Sequence, residues 1–209
     1  MKSIWDRWRE KKSSSGAELD LAARLSFELS RLDRDLWQQL LKNTVETTEM
    51  KAYWSSSLAL DYGGDVSIEQ ELDLLQRYMQ LWQLADKNIH VTFSVQYEGQ
   101  NLYISPLILF PLLQNALQST YFMSDRRPIK CRVRIVGDLL YLEISNRVNP
   151  YLQSQAETEV MNLFRLRLQV AYPGQHDLII SSNSNLFRAT LQLRLSATAN
   201  GSEADKQPE

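Results

Sequence analysis

One cysteine, Cys131, and two histidines, His90 and His176, are all the thiol and imidazole ligands the chain possesses. A lone thiol excludes an internal disulfide and a cysteine-built zinc site, and it suits a reducing compartment. Two histidines well separated in sequence make metal chemistry through imidazole an unpromising reading. Long apolar runs are missing too: nothing approaches about 18 consecutive apolar residues, the length a membrane-spanning helix needs. The opening 1–12 is charged and carries tryptophan, unlike a signal peptide, so a cytoplasmic protein without a transmembrane segment is expected. Basic excess is also absent, since 23 Lys and Arg stand against 25 Asp and Glu for a formal net charge of -2. A nucleic-acid partner is therefore not expected.

What is present suits one domain with an accessory element: 209 residues, 44% of them hydrophobic and 23% charged, enough to bury a sizeable core. Residues 1–16 are charged and then serine-rich and read as a flexible lead-in. Ile4, Trp5 and Trp8 could form an amphipathic anchor for a membrane surface or a partner; a frayed helical turn is the plainer reading. Over 17–44, leucines at 19, 21, 25, 29, 32, 36, 40 and 41 recur at helical steps without Gly or Pro. A second helix is expected over 46–60, closed by Gly63 and Gly64. Two leucine-rich helices joined by a short polar turn make a hairpin over 17–65 that could dimerise into a four-helix bundle.

Ser67, followed three residues later by Gln70, is a capping-box signature for a helix over 66–86, with Ile68, Leu72, Leu75, Met79 and Trp82 on one face. Residues 88–98 alternate as a strand with Val91, Phe93 and Val95 on one side. His90 lies on its polar phase, where a surface role is commoner than a catalytic one. The stretch 105–120, SPLILFPLLQNALQST, gives one helical stripe of Leu109, Leu112, Leu113, Ala116 and Leu117, with Gln114 and Asn115 beside it. Residues 129–135 and 139–144 read as strands meeting at a Gly137-Asp138 turn. Strands over 178–181 and 187–195 meet at Asn183-Ser184-Asn185. The tail 197–209 is polar and expected to be disordered.

The asparagine-bearing stretch resembles the corresponding helix of the GHKL ATPases, and most closely that of LytS-type sensor histidine kinases. Pro106, Leu109, Pro111, Leu112, Asn115 and Ala116 match in type and register. The segment 66–86 is similar to the family's segment ahead of that helix, with Glu69, Glu71, Leu72 and Tyr78 kept in kind, and Arg167 to Gly174, RLQVAYPG, is similar to the family's Arg-Leu to Tyr-Pro-Gly turn. The resemblance covers roughly 46–195. It implies an α+β fold in which a helical hairpin precedes a GHKL (Bergerat-type) α/β sandwich at 66–196. It also implies a dimer interface and a phosphoacceptor histidine in the hairpin.

The chain departs from the family where the chemistry sits. The family's Glu before Asn115 is Gln114, and its Lys-His pair is Gln118-Ser119. No histidine precedes His90, so a phosphoacceptor in the expected place, near 22–26, is excluded. Registering on RLQVAYPG puts Thr158 and Val160 where glycines let backbone approach phosphate, with Glu157 and Glu159 adding like charge. The family places an Asn where Asn146 stands. What the resemblance implies is therefore a remnant ATP site at Asn115, Gln114, Gln118 and Asn146, in a pseudokinase of two-component signalling that works by protein binding and needs no cofactor. Its partners would be a second copy or a true histidine kinase through the hairpin, with a response regulator as a further candidate. The alternative is an active kinase that phosphorylates a partner in trans, with ATP bound and Asn115 on magnesium. A lost general base costs about 10²- to 10⁴-fold in rate, which weighs against it.

Overall fold

A computed structural model describes residues 4–42, 48–99, 101–119, 126–151 and 154–198, with side chains from residue 15 onward. The elements, in chain order, are α1 (Ile4–Arg31), α2 (Arg34–Lys42), α3 (Thr48–Leu58), β1 (Val66–Ser67), α4 (Ile68–Ala85), β2 (Val91–Gln96), β3 (Tyr103–Ile104), α5 (Phe110–Ser119), β4 (Ile129–Val136), β5 (Leu139–Arg147), α6 (Glu159–Ala171), β6 (His176–Ser182) and β7 (Leu186–Arg194). The strands form a five-stranded sheet ordered β2-β4-β5-β7-β6 and a two-stranded ribbon of β1 and β3. Only β2 and β4 pair in parallel within the larger sheet. The fold class is α+β, with N-terminal helices ahead of a five-stranded sheet packed against helices, as expected.

Strand alternation decides which face of the sheet is covered. Ile129, Cys131, Val133 and Ile135 of β4, Leu140, Leu142 and Ile144 of β5, and Phe187, Ala189, Leu191 and Leu193 of β7 are all buried against the helices. The intervening Lys130, Arg132, Arg188 and Arg194 are exposed, so the opposite face lies open. Local signals place the elements: Ser67 Oγ accepts from Gln70 N at 3.2 Å and caps α4. Gly137, at φ 60°, takes the left-handed conformation that the β4–β5 turn requires. Asn183 Oδ1 accepts from the amides of Asn185 and Leu186, both at 2.9 Å, and closes the β6–β7 turn.

The N-terminal region differs from the two-helix hairpin expected over 17–65. Helix runs from Ile4 through most of the stretch 1–16 that reads as flexible, and the side chains of Trp5 and Trp8 lie outside the described residues. The helix then stops at Leu32-Asp33. There Asp33 Oδ1 accepts from Asp35 N at 3.0 Å and Leu36 N at 3.2 Å, which starts α2 as a new helix. Instead of standing apart, α1 lies along α6 while α2 and α3 lie on α4. This splits the leucine repeat. Leu36 and Leu40 are buried, whereas Leu21, Leu25, Leu29 and Leu32 remain exposed along α1 at 60%, 47%, 40% and 44%. The linker at 43–47 and the tail from 199 onward lie outside the described residues.

Candidate functional site

Asn115 is placed by α5, whose first turn follows Pro106 and a loop that is clamped from both sides. From α4, Glu71 accepts the Leu107 amide at 2.7 Å and the Leu109 amide at 3.1 Å. From α6, Arg167 donates to the Leu107 carbonyl at 3.1 Å and to the Pro106 carbonyl. Leu107 adopts φ 58°, a left-handed conformation unusual for a residue with a side chain, and its amide is one of those Glu71 holds. Glu71 and Arg167 are both buried, and the guanidinium sits 5.3 Å from the centre of the Phe27 ring of α1. Burial pushes the Glu71 carboxyl up to about 7, while the two amides and Arg167 pull it back. Burial also brings Arg167 down to about 10, leaving it a cation at neutral pH.

The polar pair beside the α5 stripe is buried. Gln114 accepts from Ser30 Oγ at 3.3 Å and donates to the Leu29 carbonyl at 3.1 Å, so both of its partners come from α1. Asn115, 1% exposed, donates to the Gln155 carbonyl at 3.2 Å, and its Oδ1 accepts from Thr158 Oγ1 at 2.8 Å. Thr158 also caps α6, its Oγ1 accepting from Met161 N at 3.3 Å. Asn146, at the end of β5, exchanges amide hydrogen bonds with Gln155: Asn146 donates at 3.2 Å and Gln155 donates back at 2.9 Å. Gln118 stands apart, exposed, donating to Asp35 at 3.0 Å.

Two of the four sequence-predicted site residues, Asn115 and Asn146, therefore meet around two further side chains, Gln155 and Thr158, while Gln114 turns to α1 and Gln118 to Asp35. Asn115, Asn146, Gln155 and Thr158 form a closed network with donors and acceptors matched, which is what buried amides require. Their arrangement can rigidify the junction of α5, β5 and α6. With Asn115 Oδ1 already engaged, that oxygen would have to exchange the Thr158 hydroxyl for any cation. Gln155 carries no sequence signal of this role. Thr158 does carry one, as a helix-capping residue ahead of α6. Glu71 and Arg167 are legible as matched positions but not as partners in one clamp.

No family model and no curated protein matches this chain. Among solved structures, the nucleotide-free catalytic domain of histidine kinase ThkA is 12% identical, with 64% of this chain and 95% of that one covered at TM-score 0.46. Histidine kinase AdeS of Acinetobacter baumannii is 11% identical, with 70% and 74% covered at TM-score 0.46. A histidine kinase from Burkholderia phymatum is 11% identical, with 90% and 99% covered at TM-score 0.45. At these scores they stand as likenesses, and no assignment rests on them. Among the described residues no helix is long and apolar enough to cross a membrane, and no group of His, Cys, Asp and Glu is arranged to hold a metal ion.

Proposed function

We propose that this chain is a degenerate sensor-histidine-kinase-like protein of two-component-type signalling, with a GHKL-like core that has given up phosphoryl transfer and acts by protein binding. One observation carries the reading. The oxygen that the family resemblance assigns to magnesium, Asn115 Oδ1, accepts a hydrogen bond from Thr158 Oγ1 at 2.8 Å, and Thr158 stands where the resemblance has a glycine. That hydrogen bond engages the oxygen a cation would need, which supports the reading. The missing acidic neighbour supports the same reading, because Gln114 is engaged with α1 and carries no charge.

The test is thermal unfolding with and without millimolar MgATP, in the native protein and in Asn115→Ala. No magnesium-dependent shift that Asn115 controls is expected. A stabilisation of several degrees that Asn115→Ala abolishes would overturn the reading in favour of the trans-acting kinase, since bound ligand stabilises in proportion to RT ln(1 + [L]/Kd).

The partner-binding element we infer is α1. Its exposed Leu21, Leu25 and Leu29, continued by Leu32 just past its end, recur every three to four residues on a face separate from the buried Ala23, Phe27 and Ser30. Such a stripe suits a second helix, from another copy of this chain or from a true kinase. A dimer in sedimentation equilibrium is expected, dissociating in the double variant Leu21→Asp with Leu25→Asp. A native protein that is monomeric at every concentration tested would remove self-pairing and leave the heterologous partner.

A further inference from the structure

The open face of the sheet carries a feature that the proposed signalling role does not use. A groove of about 610 Å³ is lined there by Arg126, Arg127, Lys130, Arg132, Arg147 and Arg188, with no carboxylate among its described lining residues. Arg126, Arg127, Lys130 and Arg132 lie within seven residues of sequence, and the sheet brings Arg147 and Arg188 to them. Lys130 of β4 lies opposite Ser145 of β5, and Ser145 lies opposite Arg188 of β7, so one row across three strands is cation, serine, cation. Arg132 occupies the next row of the same face, Arg147 the end of β5, and Arg126 and Arg127 the segment leading into β4. Glu143, at the rim, is the nearby counter-charge. It meets Arg132 at 3.1 Å and Arg188 at 3.6 Å and holds both against the strand surface. In a chain of formal net charge -2, six cations around one groove are a marked segregation of charge.

We propose that this groove binds a compact polyphosphate, an anion carrying two or more adjacent phosphate groups. Five of the six cations are arginine, whose planar fork pairs phosphate oxygens two at a time. Adjacent phosphates bring several charges into a few ångströms, as the clustered cations demand, and a single carboxylate does not. The volume falls within the roughly 300–1,000 Å³ of small-molecule sites. No aromatic side chain is among the described lining residues, so nothing is placed to stack a base as single-stranded nucleic-acid sites do. The groove adjoins the Asn115 network without containing Asn115. Asn146, between Ser145 and Arg147, is the one residue that belongs to both, while Asn115, Gln155 and Thr158 are not among the described lining residues of the groove.

Isothermal titration of the full chain at low salt, without magnesium, tests this with inorganic tripolyphosphate, orthophosphate, citrate and a double-stranded DNA oligonucleotide. Tripolyphosphate is expected to bind at least about tenfold more tightly than orthophosphate or citrate. Arg147→Ala with Arg188→Ala should weaken it by about tenfold per arginine, the scale of one charge-assisted contact. The milder Lys130→Gln should lose less, and Arg77→Ala on α4 should change nothing. Equal weak binding of all small anions, no binding, tighter binding of the oligonucleotide, or indifference to the paired arginine variant would each overturn the proposal. Because ATP carries a triphosphate, it should enter the groove too. That binding would survive Asn115→Ala and vanish in the arginine pair, which separates this site from the one tested above.

Discussion

Replacing Arg167 with alanine is expected to lower the unfolding free energy by about 3–5 kcal/mol, the cost of truncating a large buried side chain and stranding its buried hydrogen-bond acceptors. The guanidinium is 1% exposed and satisfies the Pro106 and Leu107 carbonyls while resting on Phe27. Its loss strands those carbonyls, withdraws a positive charge that acts on Glu71 and opens a cavity between α1 and α6. For a domain of this size that corresponds to a fall in Tm of roughly 6–20 °C, read by calorimetry. Arg167→Lys should recover only part of it, because a single ammonium on a flexible stem does not reproduce the guanidinium fork. A change of less than about 3 °C in the alanine variant would show that the clamp on the 106–109 loop is dispensable.

The same pair gives a pH signature. The Glu71 carboxyl is raised from 4.5 to about 7, so the folded state binds its proton more tightly than the unfolded chain does. Its contribution is fully present below pH 4.5 and is lost as pH rises through about 7. Stability measured by urea unfolding should therefore carry a component that declines over that window. Glu71→Gln should remove that slope, and Arg167→Ala should move it to higher pH by withdrawing the favourable charge.

Asp33→Ala is expected to cost about 2–4 kcal/mol, combining a lost helix cap with a buried phenol left without its acceptor. Asp33 is 4% exposed, and its two oxygens do different work. One caps α2, and the other accepts from the Tyr78 hydroxyl of α4. Burial raises the carboxyl above its ordinary range, against the pull of the Tyr78 hydrogen bond. A double-mutant cycle with Tyr78→Phe should return a coupling of more than about 1 kcal/mol in guanidinium unfolding. Strict additivity would mean that the cap alone explains the loss. Asp33→Asn should fall between, since the amide oxygen can still cap α2.

These residues also show how far the sequence alone could be read. Signals that complete themselves within a few residues were legible: Ser67 with Gln70, Gly137 in its turn, and the alternation of β4 and β7. The break at Leu32-Asp33 was not, because leucines at 25, 29, 32, 36 and 40 carry a helical period straight across it. The partner that anchors Asp33 is Tyr78, 45 residues away. Asn115 and Gln114 were recognised as polar residues in an apolar helix, yet their burial depends on partners 40 to 85 residues distant. The cationic groove was hidden by the balanced total charge. Four of its members lie close together at 126–132, but the sheet order is what brings Arg147 of β5 and Arg188 of β7 to them.

The docking of α1 along α6 has a consequence for how the chain is made. A ribosome releases α1 well before α6, the helix it docks on, with more than a hundred residues between them. At about 5–20 residues per second, the apolar face of α1 waits on the order of ten seconds without its native cover. Even the Ser30–Gln114 hydrogen bond must close a loop of 84 residues. Docking of α1 on α6 is thus a non-local event of the kind that slows folding, and the apolar face of α1 is open to chaperone capture and to aggregation until residue 171 is translated.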